Sequence, residues 1–291
     1  MELPFSAPLE LSRMTVRPLP SLISPPGSPG PTDHDLTVIV PAYNEQDRLP
    51  ATLAGLRDYL NPWGVDYRVV VIDNASTDKT GQIADSFGPR FSTLAQPIPG
   101  KGAAIRLGMQ ACTGAVLAFT DADLPYDLDS LRKGYESIVA GKTDVVFGAR
   151  DLVESEMRAR RRLIRTVATT VFREVVRLLV SRHVTDTQCG LKLFRREAAW
   201  DIFTRTTIDG FAFDAEVVYL THRLRLPYER VAVTLINEYS STLSLSRHAL
   251  PMFLDVVRLR LRSLRGAHQL AGYQPGQTRF AIEADTRRRA A

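Results

Sequence analysis

Asp121 and Asp123 stand one residue apart at the end of the apolar run Leu117-Ala118-Phe119-Thr120. Alternate side chains of a strand share a face, so both carboxylates would point the same way where the strand leaves the core. Neighbouring carboxylates repel, and repulsion raises the pKa of one unless a cation sits between them. A hard divalent ion, Mg²⁺ or Mn²⁺, suits oxygen ligands and shares its coordination readily with a diphosphate. Taken alone, an Asp-x-Asp pair fits a solvated turn equally well. Two more polar clusters follow apolar runs, Pro41-Ala42-Tyr43-Asn44-Glu45 and Asp73-Asn74-Ala75-Ser76-Thr77-Asp78, and they shift the balance towards a site.

The elements that must carry these clusters alternate. Residues 36–40 read as a buried strand, followed by a helix on which Leu49, Leu53, Leu56 and Leu60 recur. Strands are expected at 67–72, 94–96, 116–120 and 145–150. Helices are expected after Ser76 or Thr77 as cap, from Gly100-Lys101-Gly102 onward, and over 131–140. Strand, loop and helix in repetition predict an α/β fold, a mostly parallel central sheet with helices on both faces. In such sheets ligands bind outside the carboxyl ends of the strands, where all three clusters fall.

The first turn lacks the glycines of a dinucleotide fingerprint, and Gly100-Lys101-Gly102 lacks the upstream glycine and the Ser/Thr of a P-loop. An acidic, metal-ready pocket remains, with Asp73 apart from the pair. Asp73 could accept from a base N–H or a ribose, and a metal at Asp121/Asp123 could take a diphosphate. That describes a nucleotide-diphosphate-sugar site.

Composition sets the outer bounds. The chain has 291 residues, 44% hydrophobic, with formal net charge +5. That mild excess suits an anionic partner. Two cysteines form no disulfide framework, and a reducing, cytoplasmic setting fits them. No signal peptide or membrane span is read; the uncharged stretch after Leu107 is shorter than the ~20 residues a span needs. Residues 1–34 are Pro-, Ser- and Gly-rich and are expected to be disordered. Residues 35–248 would form the catalytic domain, 249–266 an amphipathic helix and 267–291 a flexible basic tail.

The residues resemble glycosyltransferase family 2, whose fold is GT-A. The pieces are Val40 to Glu45, Val71 to Asp78, Gly100-Lys101-Gly102 and Asp121-Ala122-Asp123. Asp186 to Phe194 and Phe211 to Glu216 resemble the polyprenyl-phosphate branch, dolichyl-phosphate glucosyltransferases in particular. The resemblance covers about residues 36 to 248. It implies that Pro41, Ala42, Tyr43 and Glu45 line the base and ribose, with Asp73 and Asn74 at the base. Lys101 would approach the diphosphate or base edge. Asp121 and Asp123 would hold ribose and metal, with Asp123 the metal ligand. Gln188, Lys192 and Asp214 belong to the motifs of the acceptor branch. The family often has Asp-Asp-Gly-Ser where this chain has Asp73-Asn74-Ala75-Ser76, and its eukaryotic relatives carry an N-terminal membrane helix that is not read here.

The expected reaction is hexose transfer, with glucose first, from a UDP-sugar to a polyprenyl phosphate with inversion, at the cytoplasmic membrane face. GDP-mannose is the rival donor, and a soluble alcohol or glycan the rival acceptor. An inactive nucleotide- or lipid-surface-binding module is the alternative of another class. A lipid monophosphate, with a second pKa of about 6, needs no general base but does need cations. Arg150 is the candidate catalytic cation, with Arg161, Arg162 and Arg165 as further candidates. Asp214 and Glu216 would orient the site, cap a helix or serve an alcohol acceptor as bases. Cys189 is expected to be a buried thiol. Two basic amphipathic stretches, 163–179 and 250–264, would lie on lipid, pack on the sheet or join a homodimer; nucleic acid is not expected as a partner.

Overall fold

The computed structural model describes residues 33–152, 186–236 and 245–264. The expectations for Arg161, Arg162, Arg165, the 163–179 stretch and the 267–291 tail fall outside them. So does the Pro-rich segment up to residue 32. Asp33 and His34 are described, and His34 is anchored, its Nδ1 2.9 Å from Asp66 Oδ2.

Seven strands form one sheet in the order β3-β2-β1-β4-β6-β5-β7. They are β1 (Leu36–Ala42), β2 (Tyr67–Asp73), β3 (Phe91–Ala95), β4 (Val116–Phe119), β5 (Val145–Ala149), β6 (Lys192–Arg195) and β7 (Tyr228–Ala232). The helices are α1 (Leu49–Leu60), α2 (Thr80–Ile83), α3 (Lys101–Ala111), α4 (Asp129–Val139), α5 (Arg196–Phe203), α6 (Phe213–Arg223) and α7 (Leu245–Leu264). β1, β2, β3 and β4 pair in parallel, as do β5 and β7. β6 runs antiparallel between β4 and β5.

The β-branched runs of β1 and β2 are strands buried on both faces, which is why they read as nearly unbroken apolar sequence. Their side chains alternate between two cores. Ile39, Val70, Ile72 and Phe119 pack with α3, α5 and α6. Val38, Val40, Val69 and Val71 pack with α1 and with Leu131 and Ile138 of α4. Val256 and Leu259 of α7 join the first core, so the helix is docked by one face. It starts at residue 245, four residues before the expected 249. No helix among the described residues is long and apolar enough to cross a membrane.

The cap after β2 differs from expectation. Asp78, not Ser76 or Thr77, accepts from the Thr80 backbone N–H at 2.9 Å, at the start of α2. Ser76 and Thr77 turn instead to the neighbouring loop. Ser76 Oγ accepts from Asn44 N–H at 3.0 Å, and Thr77 N–H donates to Asn44 Oδ1 at 2.8 Å.

Candidate active site

Ala42 pairs with Asp73, and Ile39 with Phe119, so the three clusters leave the sheet at one rim. The first two are laced together. Besides the Asn44 bonds, Glu45 N–H donates to Thr80 Oγ1 at 2.8 Å and Gln46 N–H to Asp78 Oδ2 at 3.2 Å. Tyr43 stands out at 59% exposure at the mouth, while Ala42 is buried behind it and Pro41 is half-buried. Asp73 accepts from Ser76 N–H at 3.1 Å.

Asn74 does not face the pocket. Its amide donates to Ile98 C=O at 2.7 Å and accepts from Gly100 N–H at 2.7 Å. It therefore fixes the loop that leads into α3. α3 opens with Lys101, whose Nζ lies 2.5 Å from Asp121 Oδ1. Burial would lower the Lys101 ammonium, yet the carboxylates of Asp121 and Asp214 raise it above its ordinary value. Burial likewise favours neutral Asp121, but Lys101, Lys192 and Arg150 hold its carboxyl below the usual range. Gly190 lies against that carboxylate; a Cβ there would collide with Asp121 Oδ2.

Asp123 has no ion pair among the described residues. Burial, then the charge of Asp121, pushes its carboxyl up. Glu45 is raised too, by burial and by Asp123, Asp78 and Asp121, against the lowering pull of Arg48 at 3.5 Å. A carboxylate crowded by like charge and lacking a counter-ion fits a hard divalent cation. No three His, Cys, Asp or Glu side chains among the described residues converge enough to cage one. Mg²⁺-type ions bind in that manner, through one or two carboxylates plus substrate phosphates and water.

The antiparallel strand β6 brings a second set of residues to this rim, because Lys192 at its start pairs with Phe119 at the end of β4. Lys192 is fully buried; its Nζ lies 2.5 Å from Asp214 Oδ1 and 2.7 Å from Cys189 C=O. Asp214 is raised, since burial outweighs Lys192 and Lys101. Upstream, Gln188 Nε2 is buried with no hydrogen-bond partner among the described residues. Arg150 grips Asp186: Nε donates to Oδ2 at 2.8 Å and Nη2 to Oδ1 at 2.5 Å. Its Nη1 alone is uncommitted among the described residues. Burial pushes the Cys189 thiol up to about 11 and that of Cys112 to about 12, so neither is a ready nucleophile.

Glu216 is expected to orient the site, cap a helix or act as a base. It is fully buried and accepts three hydrogen bonds from Thr207 and Ile208, so it is unavailable as a base. The carbonyl of Asp209 went unread. It accepts from Gly102 N–H at 2.7 Å and Ala103 N–H at 3.2 Å. The first turn of α3 is thereby capped by protein, and its amides do not cradle a diphosphate.

Comparison with other proteins identifies the family. The family model for glycosyl transferase family 2 matches residues 37–203. The chain belongs to that family and is a glycosyltransferase of GT-A fold. It is 34% identical over 247 residues to the dolichyl-phosphate beta-glucosyltransferase of Dictyostelium discoideum, covering 79% of this chain and 75% of that protein. The Homo sapiens protein of the same name is 32% identical over 253 residues, covering 81% and 78%. Among solved structures, mannosyl-3-phosphoglycerate synthase from Rubrobacter xylanophilus superposes with a TM-score of 0.62 at 16% identity, covering 83% and 78%. Glucosyl-3-phosphoglycerate synthase from Mycobacterium tuberculosis, in complex with Mn²⁺, UDP and glucosyl-3-phosphoglycerate, gives 0.58 at 19% identity, covering 83% and 87%.

Proposed function

We propose that this enzyme transfers glucose from UDP-glucose to a polyprenyl phosphate with inversion at the anomeric carbon. The observation that carries the reading is the convergence at one rim of an ion-paired Asp121 and an Asp123 with no ion pair among the described residues. The names of the relatives, which match over about four-fifths of this chain, support the lipid acceptor.

An acceptor phosphate oxygen forms the new bond to the anomeric carbon while the bond to the donor diphosphate breaks. Pro41, Ala42, Tyr43, Glu45 and Asp73 line the uridine side. Asp121, steadied by Lys101, meets the ribose. Asp123 is the residue that would hold Mg²⁺ or Mn²⁺, which when bound neutralises charge developing on the leaving diphosphate. Lys101 adds a fixed positive charge beside it. Gln188 offers to the substrate an amide unpartnered among the described residues, and Arg150, holding Asp186 through Nε and Nη2, turns the rest of its guanidinium to the acceptor phosphate. Lys192, Asp214 and Asn74 hold these groups in place. Residues 35–248 form the catalytic unit.

The acceptor is a membrane lipid, so the enzyme works at a bilayer, and we assign the contact to α7. Its inner face is docked through Val256 and Leu259. The opposite face exposes Phe253, Leu254 and Leu261, flanked by Arg258 and Arg260, while Arg262 Nη1 donates to Thr207 Oγ1 at 2.8 Å. An apolar stripe with basic flanks suits the interface of an anionic membrane. Such a surface belongs to the cytoplasmic side.

Radiolabelled UDP-glucose, polyprenyl phosphate and Mg²⁺ test the activity. Label in a solvent-extractable, mild-acid-labile lipid is expected. Label entering only from GDP-mannose would reverse the donor, and label in neither lipid would remove the acceptor.

A further inference from the structure

We propose that Glu216 is a positioning residue for the donor site: it shapes the 207–209 loop, the loop caps α3, and the capped helix sets Lys101 against Asp121. The proposal rests on the reading of Lys101 and Asp121 as donor-site residues.

Glu216 is fully buried, and no lysine or arginine among the described residues pairs with it. Its Oε2 accepts from the backbone N–H groups of Thr207 at 2.9 Å and Ile208 at 2.8 Å, and its Oε1 from Thr207 Oγ1 at 2.9 Å. Consecutive amides bound by one carboxylate fix the direction of the peptides that follow. The buried Ile208 N–H left without that acceptor would be costly, so the loop is held to this path. The carbonyl of Asp209, one residue beyond Ile208, then lies over the first turn of α3 and accepts from Gly102 and Ala103. The Asp209 carboxylate pairs with Arg106, one turn further along the same helix.

Contact at this joint is close enough to exclude side chains. A Cβ on Gly102 would collide with the carbonyl of Ile208 and lie 2.7 Å from Phe213 Cβ. Lys101 is the residue between this joint and the pocket, with its ammonium 2.5 Å from Asp121 and 5.9 Å from the centre of the Phe213 ring. Glu216 and Phe213 share α6, so a single helix presents both the carboxylate that builds the loop and the ring beneath the lysine. Glu216 itself touches neither substrate nor metal.

A double-mutant cycle on the full chain tests this, with UDP affinity in the presence of Mn²⁺ read by titration calorimetry. Lys101→Ala is expected to weaken UDP binding about tenfold, Glu216→Ala to a similar extent, and the double variant no further than either single one, because both act through one contact. Glu216→Gln restores most of the affinity, since its Oε1 can accept from both amides while its Nε2 meets Thr207 Oγ1. Thr207→Val, at an exposed position, serves where Glu216→Ala does not fold; Thr207 Oγ1 also accepts from Arg262 Nη1 at 2.8 Å, so Arg262→Ala is run beside it as the control for that bond. Thr207→Val should weaken binding about threefold, and only while Lys101 is present. If the Glu216 or Thr207 effect multiplies with that of Lys101→Ala, the residue is a general prop and the proposal is overturned. Glu216→Gln as weak as Glu216→Ala also overturns it. If Lys101→Ala alone leaves UDP affinity unchanged, the donor-site reading falls, and the proposal with it.

Discussion

Lys101 and Asp121 form an ion pair at 2.5 Å at the rim of the sheet, while Asp123, two residues along, has no such partner among the described residues. The two carboxylates are thereby made unequal. Asp121 already has its cation; at Asp123, burial and the charge of Asp121 outweigh the pull of Lys101 and Arg48 and leave its carboxyl raised.

Asp123→Ala should therefore abolish the dependence of UDP binding on Mn²⁺ and reduce transfer by at least about 100-fold. Calorimetry with and without Mn²⁺ separates the metal from the nucleotide. Full metal-dependent activity in this variant would remove Asp123 from the reaction.

The Lys192–Asp214 pair, 1% and 4% exposed, predicts an asymmetry in stability. Lys192→Met leaves a buried carboxyl without its partner and should cost about 3 kcal/mol in urea unfolding. The double variant with Asp214→Leu should recover much of that loss, because removing both charges also removes their desolvation. Equal losses in single and double variants would contradict this.

Ala75 holds φ at +59°, where an L side chain is strained. Ala75→Gly should stabilise the fold by about 1 kcal/mol, the αL penalty less the extra entropy of a glycine. A thermal melt decides it; a lower Tm would mean that the turn is held by contacts the glycine loosens.

Acid should unfold the protein partly through Asp127 and Asp186. Burial raises both, but the bonds from Ser130 and Thr234 to Asp127, and Arg150 at Asp186, bring each below its ordinary value. A carboxyl with a lowered native pKa contributes stability that is complete above its unfolded value, about 3.9, and is lost as pH falls through the native one. Asp127→Asn should flatten the stability profile below about pH 4. A slope unchanged from wild type would place the acid sensitivity elsewhere.

Replacing Phe253, Leu254 and Leu261 by Ser should release the chain from vesicles rich in phosphatidylglycerol while leaving transfer to a short, water-soluble polyprenyl phosphate intact. If the substitutions instead convert a dimer to a monomer on ultracentrifugation, the covered face belongs to a second copy.

Much of this was legible before any coordinates. β1 and β2 announce themselves because strands buried on both faces need apolar side chains at every step. Asp121 and Asp123 are visible because an acidic pair closing an apolar run has few structural uses. β6 escaped notice because Lys192 looks like a solvent-facing residue; its burial depends on Asp214, 22 residues away in the chain. Asn74 was assigned to the pocket since it sits in the right loop, but its amide is spent on the carbonyl of Ile98 and the N–H of Gly100. Each miss concerns a tertiary partner that local pattern does not encode.

The reversed direction of β6 has a consequence for how the pocket is shared along the chain. Because the strand begins beside the end of β4, residues 186–191 arrive at the rim where the first half has already deposited its acids. Were those four residues to run the other way, Gln188 and Gly190 would emerge about 13 Å off, on the far side of the sheet. One inverted strand thus lets two distant stretches of polypeptide, some 70 positions apart, build opposite walls of a single chamber.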